Sequence, residues 1–120
     1  MVTKINLADK LNRFHDRWSP KIVADLNGSH VKLVKVQGEF VWHSHAEEDE
    51  LFFVLRGTLV IELRDGAVTL GPGEMAVIPK GLEHRPVAAE EVHLMLIEPK
   101  GIRHTGDVVS ELTVHEYSRI

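Results

Sequence analysis

The 120-residue chain contains no cysteine, which excludes a disulfide framework and a cysteine nucleophile. No apolar run approaches the ~20 residues that a membrane helix needs, and the N-terminal residues lack the apolar core of a secretion signal. Basic residues are also few: 14 of them against 18 acidic residues give a formal net charge of −4, which argues against a nucleic-acid partner. These absences predict a cytoplasmic protein that binds neither membranes nor nucleic acid.

The length and the composition are ordinary for a globular protein. Apolar residues make up 43% of the chain and charged residues 27%, so we expect residues 1–120 to form a single domain around one core. The unusual count is that of histidine, of which there are eight.

A short helix is predicted near the N-terminus. Leu7, Leu11 and Phe14 recur at positions i, i+4 and i+7 and so share one helix face. Asn6 is placed to cap its first turn, and Pro20 ends the segment.

The remainder of the chain has the pattern of short strands separated by glycine and proline. Predicted strands cover residues 31–36, 40–45, 51–56, 58–64, 67–70, 75–79 and 92–98, with 113–117 as a candidate for one more. Gly38 is expected to end the first strand, and Asp65 and Gly66 to form a hairpin turn. No segment has the helical pattern of a βαβ unit, so the prediction is an all-β sandwich or barrel.

Three histidines and one glutamate form the candidate chemical site. His43 and His45 stand at positions i and i+2 of a predicted strand and therefore share a face. Glu50 opens the next strand, which we expect to pair with the first. His84 follows a turn much later and can join only if the fold brings the two hairpins together. Such a set suits a divalent metal, although an HxH pair alone is more often two ordinary histidines.

The spacing of these residues resembles the two motifs of the cupin superfamily. The first motif is matched by Gly38, His43, His45, Glu50 and Gly57. The second is matched by Gly73, Pro79, Gly81 and His84. The chain departs from the family pattern in two places: one residue fewer separates Gly38 from His43, and Ala88 stands where an asparagine is common. Matching both motifs in order is a specific signal.

The resemblance is to the small single-domain bacterial cupins, the cupin 2 or mannose-6-phosphate isomerase-like group. It implies a double-stranded β-helix, or jelly-roll barrel, in which His43, His45, Glu50 and His84 hold one divalent Fe, Mn, Ni or Zn ion per chain. It also implies a homodimer. Related proteins carry out dioxygenation, isomerisation or decarboxylation of small molecules. The alternatives are a non-catalytic module that binds a sugar-like ligand and a structural dimer without metal.

Alternation along the strands predicts which side chains face the metal. With His43 and His45 inside, Val41 points inward, and Phe40 and Trp42 point outward. With Glu50 inside, so are Phe52 and Val54. The outer face of that strand then carries Leu51, Phe53 and Leu55, which either form a dimer surface or pack under the N-terminal helix.

Several residues outside the quartet have alternative orientations or roles. The strand at 92–98 lines the cavity either with His93, Met95 and Ile97 or with Val92, Leu94 and Leu96. If His93 faces inward, it is a candidate catalytic base. Asp49 could replace Glu50 as a ligand, since only one of two adjacent residues points inward. Arg85 should point outward into an ion pair. The other histidines are expected to be exposed: His15, His30, His104 and His115.

Overall fold

The computed structural model describes residues 1–106 and 108–120. Within them, one short helix precedes eight strands: α1 Leu7–Leu11, β1 Lys21–Leu26, β2 Ser29–Glu39, β3 Glu50–Arg56, β4 Leu59–Leu63, β5 Gly66–Leu70, β6 Met75–Ile78, β7 His84–Pro99 and β8 Ser118–Arg119. The all-β prediction is confirmed. No helix in this part of the chain has the length and hydropathy needed to cross a membrane.

Strand β7 organises the sheet. Its first residues pair with β4, His93 to Ile97 pair with β3, and β2 runs antiparallel along nearly its whole length. The full order is β5-β4-β7-β2-β1-β8, with β3 joining β7 to β6. A strand of 16 residues that pairs on both sides can serve both halves of a jelly roll, which is how the short strands close around one core.

The core lies on the inner faces of these strands. Its buried apolar cluster consists of Val34, Val36, Phe52, Val54, Leu59, Ile61, Leu70, Ile78, Ala88, Val92, Leu94 and Leu96. This cluster decides between the two orientations considered for residues 92–98 of β7: Val92, Leu94 and Leu96 point inward. The inward orientation predicted for Phe52 and Val54 is confirmed.

The N-terminal helix forms but is shorter than predicted. The Asn6 side chain accepts a hydrogen bond from the backbone N–H of Asp9 at 3.1 Å, which confirms its capping role. The helix ends at Leu11, so Phe14 lies beyond it. Lys35 donates to the carbonyl oxygens of Leu11 and Phe14, both at 2.7 Å, and ties this segment to β2.

Two predicted strand boundaries are wrong because of long-range pairing. Residues 40–45 form no regular strand; His43 makes an isolated bridge with His84. Gly38 does not end β2, which continues to Glu39 through a shift in register at Gly38, where φ is +89°. Glycine adopts this left-handed conformation readily, as a β-bulge requires.

Three further strand predictions, for β1, for the start of β7 and for the C-terminal strand, also differ from the structure. Strand β1 was not predicted, and β7 begins eight residues before the apolar run at 92–98. The expected strand at 113–117 is wrong, since the last pairing involves Ser118 and Arg119, which lie parallel to Lys21 and Ile22. Pairing with a distant strand, rather than local alternation, defines these elements.

Candidate metal centre

Four buried side chains converge at one end of the barrel interior. One donor atom from each of His43, His45, Glu50 and His84 lies within 4.8 Å of the others. Glu50 Oε1 lies 3.4 Å from His45 Nε2 and 3.6 Å from His84 Nε2. The exposed fractions of the four residues are between 0% and 5%. The sequence-predicted quartet is therefore brought together in one place.

Backbone contacts between distant segments create this meeting point. The backbone N–H of His43 donates to His84 O at 3.0 Å, and that of His84 donates to His43 O at 2.9 Å. The N–H of Gly81 donates to His45 O at 2.7 Å, which holds the preceding turn against the HxH segment. The predicted pairing that was to bring Glu50 to the histidines is wrong: β3, which begins at Glu50, pairs with β6 and β7 and not with residues 40–45.

The orientation of two imidazoles suits metal binding. Nδ1 of His43 lies 2.9 Å from Val41 O, and Nδ1 of His84 lies 2.9 Å from Leu82 O. A carbonyl oxygen only accepts, so each Nδ1 carries the hydrogen and each Nε2 keeps a lone pair. Metal-binding histidines are commonly oriented by such a bond from the other ring nitrogen.

Three donor atoms of the cluster are buried without a hydrogen-bond partner: His45 Nε2, Glu50 Oε1 and His84 Nε2. An unsatisfied buried polar group is costly. A divalent cation among them would satisfy all three, and the chemistry of the donor set, imidazole nitrogen with carboxylate oxygen, fits first-row divalent metals.

The charge state of the cluster also favours a cation. Burial, reinforced by neighbouring His84, lowers the pKa of His43 to about 4. Burial alone would raise the pKa of Glu50, but the adjacent side chains of Glu98, His45 and His84 lower that pKa well below its usual range. A neutral imidazole beside an ionised carboxylate is the form that binds a metal.

A narrow, largely apolar cavity adjoins His43 and Glu50. Its walls include Val36, Phe52, Leu94 and Leu96. Phe40 also lines it, stacked on Trp18 with ring centroids 4.5 Å apart. The outward orientation predicted for Phe40 is therefore wrong; residues 40–45 are not a regular strand, so strict alternation does not apply to them.

His104 is a cavity residue that the sequence did not reveal. It was predicted to be exposed, yet it is 5% exposed, and its Nε2 lies 2.9 Å from the carbonyl oxygen of Trp18. Burial lowers its pKa to about 4. The residue stands outside both motifs, in a C-terminal segment without strand periodicity, so no local signal marked it.

A second, more polar opening adjoins the cluster at His45. It has a volume of about 280 Å³ and is lined by Ser44, His45, Ala46, Glu47, Glu48, Gly101, Ile102, Arg103 and Gly106. Asp49 lies outside the cluster, where its carboxylate accepts a hydrogen bond from the Lys80 N–H at 2.9 Å. Of the two adjacent acidic residues considered as ligands, Glu50 is the buried one.

His93 is not brought to the cluster. It stands on the outer face of β7, and its Nε2 lies 3.1 Å from Glu91 Oε2. The catalytic role considered for His93 stays a prediction without structural support. Arg85 points outward as predicted, 2.6 Å from Glu62 Oε1. Trp42 lies on the same outer surface, under the guanidinium of Arg64 at 3.8 Å from the ring centroid.

Comparison with known proteins supports the fold and the family. Residues 30–100 match the family model described as the cupin domain. The chain is 34% identical over 86 residues to the uncharacterized protein YdbB of Bacillus subtilis, an alignment that covers 71% of this chain and 74% of that protein.

Two solved structures are similar over most of the chain. A cupin-2 domain protein from Shewanella frigidimarina is 55% identical with a TM-score of 0.79, covering 80% of this chain and 94% of the other. Protein NMB1881 from Neisseria meningitidis is 35% identical with a TM-score of 0.75, covering 82% of this chain and 100% of the other. Together with the jelly roll and both motifs, these matches show that the chain belongs to the cupin family.

Proposed function

We propose that this protein binds one divalent metal ion through His43, His45, Glu50 and His84 and uses it to act on a small molecule. The observation that carries the proposal is that four buried side chains converge, and that a ligand atom on three of them has no hydrogen-bond partner. Two imidazoles are already oriented by backbone carbonyls, so the site is pre-organised for a cation.

The donor set selects a class of metal. Three nitrogens and one carboxylate oxygen suit Fe, Mn, Ni or Zn, and on an octahedral ion about two positions would remain for water or a small molecule. Such an ion supplies Lewis-acid chemistry, or redox chemistry if it is iron. The protein's own residues would orient the ion and, through the apolar wall of Phe40, Phe52 and Leu94, limit the access of water.

Two functional classes fit this site. The first is an enzyme of dioxygenase, isomerase or decarboxylase type. The second is a non-catalytic module that binds a sugar-like ligand, which is favoured by the outward placement of His93. Within the part of the chain that the structure describes, the apolar cavity has His104 as its titratable residue outside the quartet. With a pKa of about 4, His104 is a neutral imidazole near pH 7.

The first test is metal content. We expect untagged protein to contain about one divalent ion per chain, measured by inductively coupled plasma mass spectrometry. His84→Ala, His45→Ala and Glu50→Ala should each lose most of it while staying folded, because each removes one of four ligands.

His93→Ala is the matched control, since it removes a histidine of the same barrel that lies outside the quartet; it should keep the wild-type metal content. Full metal content in the ligand variants would show that the assigned set is wrong. Wild-type protein that takes up no metal even after reconstitution would contradict the proposal.

We also propose that the chain acts as a homodimer through the outer face of β3 and β6. This face continues across the paired strands β2, β7, β3 and β6. Along one row of residues that crosses these strands, the exposed fraction rises from 0% at Leu33 on β2 to 55% at Met75 on β6. The N-terminal segment is bonded to Lys35 on β2, at the covered end of the row. The uncovered end is apolar, as is typical of a surface that packs against a second copy.

A further inference from the structure

A buried ion pair lies inside the barrel, and neither of its residues belongs to the proposed metal ligands. Lys32 Nζ donates to Glu98 Oε1 at 2.8 Å, and both side chains are 0% exposed. The Tyr117 ring covers the ammonium group, with Nζ 3.7 Å from the ring centroid. This places a cation–π contact on one side of Lys32 and the carboxylate on another.

The pair stands next to Glu50 of the metal cluster. Strands β3 and β7 pair antiparallel with Leu51 opposite Ile97, so the next position sets Glu50 beside Glu98. Both side chains point inward, at 2% and 1% exposure. Glu98 Oε2, the oxygen that does not bond Lys32, is buried without another hydrogen-bond partner.

The stability of the fold is a poor explanation for this arrangement. Removing two charges from water costs several kcal/mol per ion, and replacing a buried ion pair by apolar side chains of similar volume is often neutral or stabilising. A carboxyl group beside a metal ligand has a different use, because partners behind the ligands hold them in the orientation that the metal requires.

We propose that Glu98 and Lys32 are positioning residues for Glu50. The carboxyl group of Glu98 stands opposite Glu50 on the paired strand and limits the positions that the Glu50 side chain can take, and Lys32 holds Glu98 in place. The inference rests on the proposed function, since it requires Glu50 to be a ligand. It assigns the pair to the affinity and geometry of the metal site and not to the folding of the barrel.

The decisive variant is Lys32→Met/Glu98→Leu, which replaces the pair by apolar side chains of similar size. Affinity for Zn²⁺ and Co²⁺ is measured by competition with a chromophoric chelator, and the visible spectrum of the Co²⁺ form reports the ligand geometry. We expect affinity to fall about 10- to 100-fold, the cobalt spectrum to change, and Tm of the metal-free protein to stay near the wild-type value.

Two further variants sharpen the test. Glu98→Gln keeps Lys32 and a polar side chain beside Glu50 and should keep most of the affinity. Arg17→Met/Glu91→Leu removes an ion pair of 3.1 Å on the outer surface and should bind metal like the wild type.

Wild-type affinity and spectrum in folded Lys32→Met/Glu98→Leu would overturn the inference. If that variant does not fold, Glu98→Asp decides: it keeps Lys32 and the carboxyl group but withdraws the carboxyl group by one methylene, so a roughly tenfold loss of affinity supports the inference and unchanged affinity overturns it. A wild-type protein that binds no metal is a separate outcome, which overturns the proposed function and this inference with it.

Discussion

The histidines of this chain differ in what their ring nitrogens contact. His43 and His84 direct Nδ1 to backbone carbonyls two residues before them, which leaves Nε2 facing the cluster. His93 instead contacts Glu91 on the outer surface, and His104 contacts Trp18 O. Residue type therefore identified the candidates, and the partners of the ring nitrogens separate His43 and His84 from His93 and His104.

At this scale, we expect His104 to make the stability of the metal-free protein depend on pH. Its folded pKa is about 4, against an unfolded value of about 6.5. Between these pH values the unfolded chain binds a proton that the folded chain does not, so acidification favours unfolding. His104 should cost roughly 2 kcal/mol of unfolding free energy between pH 7 and pH 5.

The measurement is urea denaturation of wild-type protein and His104→Gln at both pH values. Glutamine keeps a donor for Trp18 O but does not titrate, so the pH-dependent loss of stability should be smaller in the variant. His43 and the acidic residues are common to both proteins and cancel in the comparison. Equal pH dependence would mean that His104 titrates normally in the folded protein.

At the scale of the element, the C-terminal segment passes close to the candidate metal site at Gly106. A Cβ atom at this position would lie 2.2 Å from the carbonyl oxygen of Ser44, between the two proposed ligands His43 and His45. The segment is also held by Tyr117, whose hydroxyl donates to Ile102 O at 2.9 Å and accepts from the His104 N–H at 2.7 Å. A side chain at Gly106 would have to displace backbone at the site.

Gly106→Ala should therefore destabilise the protein and weaken metal binding. Gly101→Ala is the matched control: both glycines have positive φ, but a Cβ at Gly101 meets nothing within 4 Å. The control should cost only the ~1–2 kcal/mol of left-handed backbone strain, and Gly106→Ala should cost more. Denaturation and chelator competition test both effects, and identical results for the two variants would contradict the predicted contact.

At the scale of the whole molecule, the outer apolar face should determine the oligomeric state. Met75 and Val77 lie on β6, which pairs with β3 alone, and they are 55% and 51% exposed. We expect a dimer in size-exclusion chromatography with light scattering. Met75→Glu/Val77→Glu should convert it to a monomer, because the charges cannot be buried against a second copy.

Val68→Glu is the control for this test, because Val68 is a partly exposed apolar residue at 37% on β5, a different strand; this variant should remain dimeric. A monomeric wild type would exclude the homodimer, and a dimeric Met75→Glu/Val77→Glu would place the interface elsewhere.

The sequence alone determined the class of fold and the candidate ligands. The cap at Asn6, the strand alternation and the glycine turns depend on neighbouring residues, so they can be read locally. The spacing of His43, His45, Glu50 and His84 within two motifs was sufficient to select the quartet that the structure brings within 4.8 Å. Their role as metal ligands stays a proposal until the metal is measured.

The tertiary structure decided what depends on pairing between distant segments. The cluster assembles because residues 40–45 bond to the start of β7, not because they pair with β3 as expected. The inward place of Phe40, the burial of His104 and the Lys32–Glu98 pair had no local signal. Alternation shows that two residues face opposite sides of a strand, but which side is inside depends on the strands packed against it.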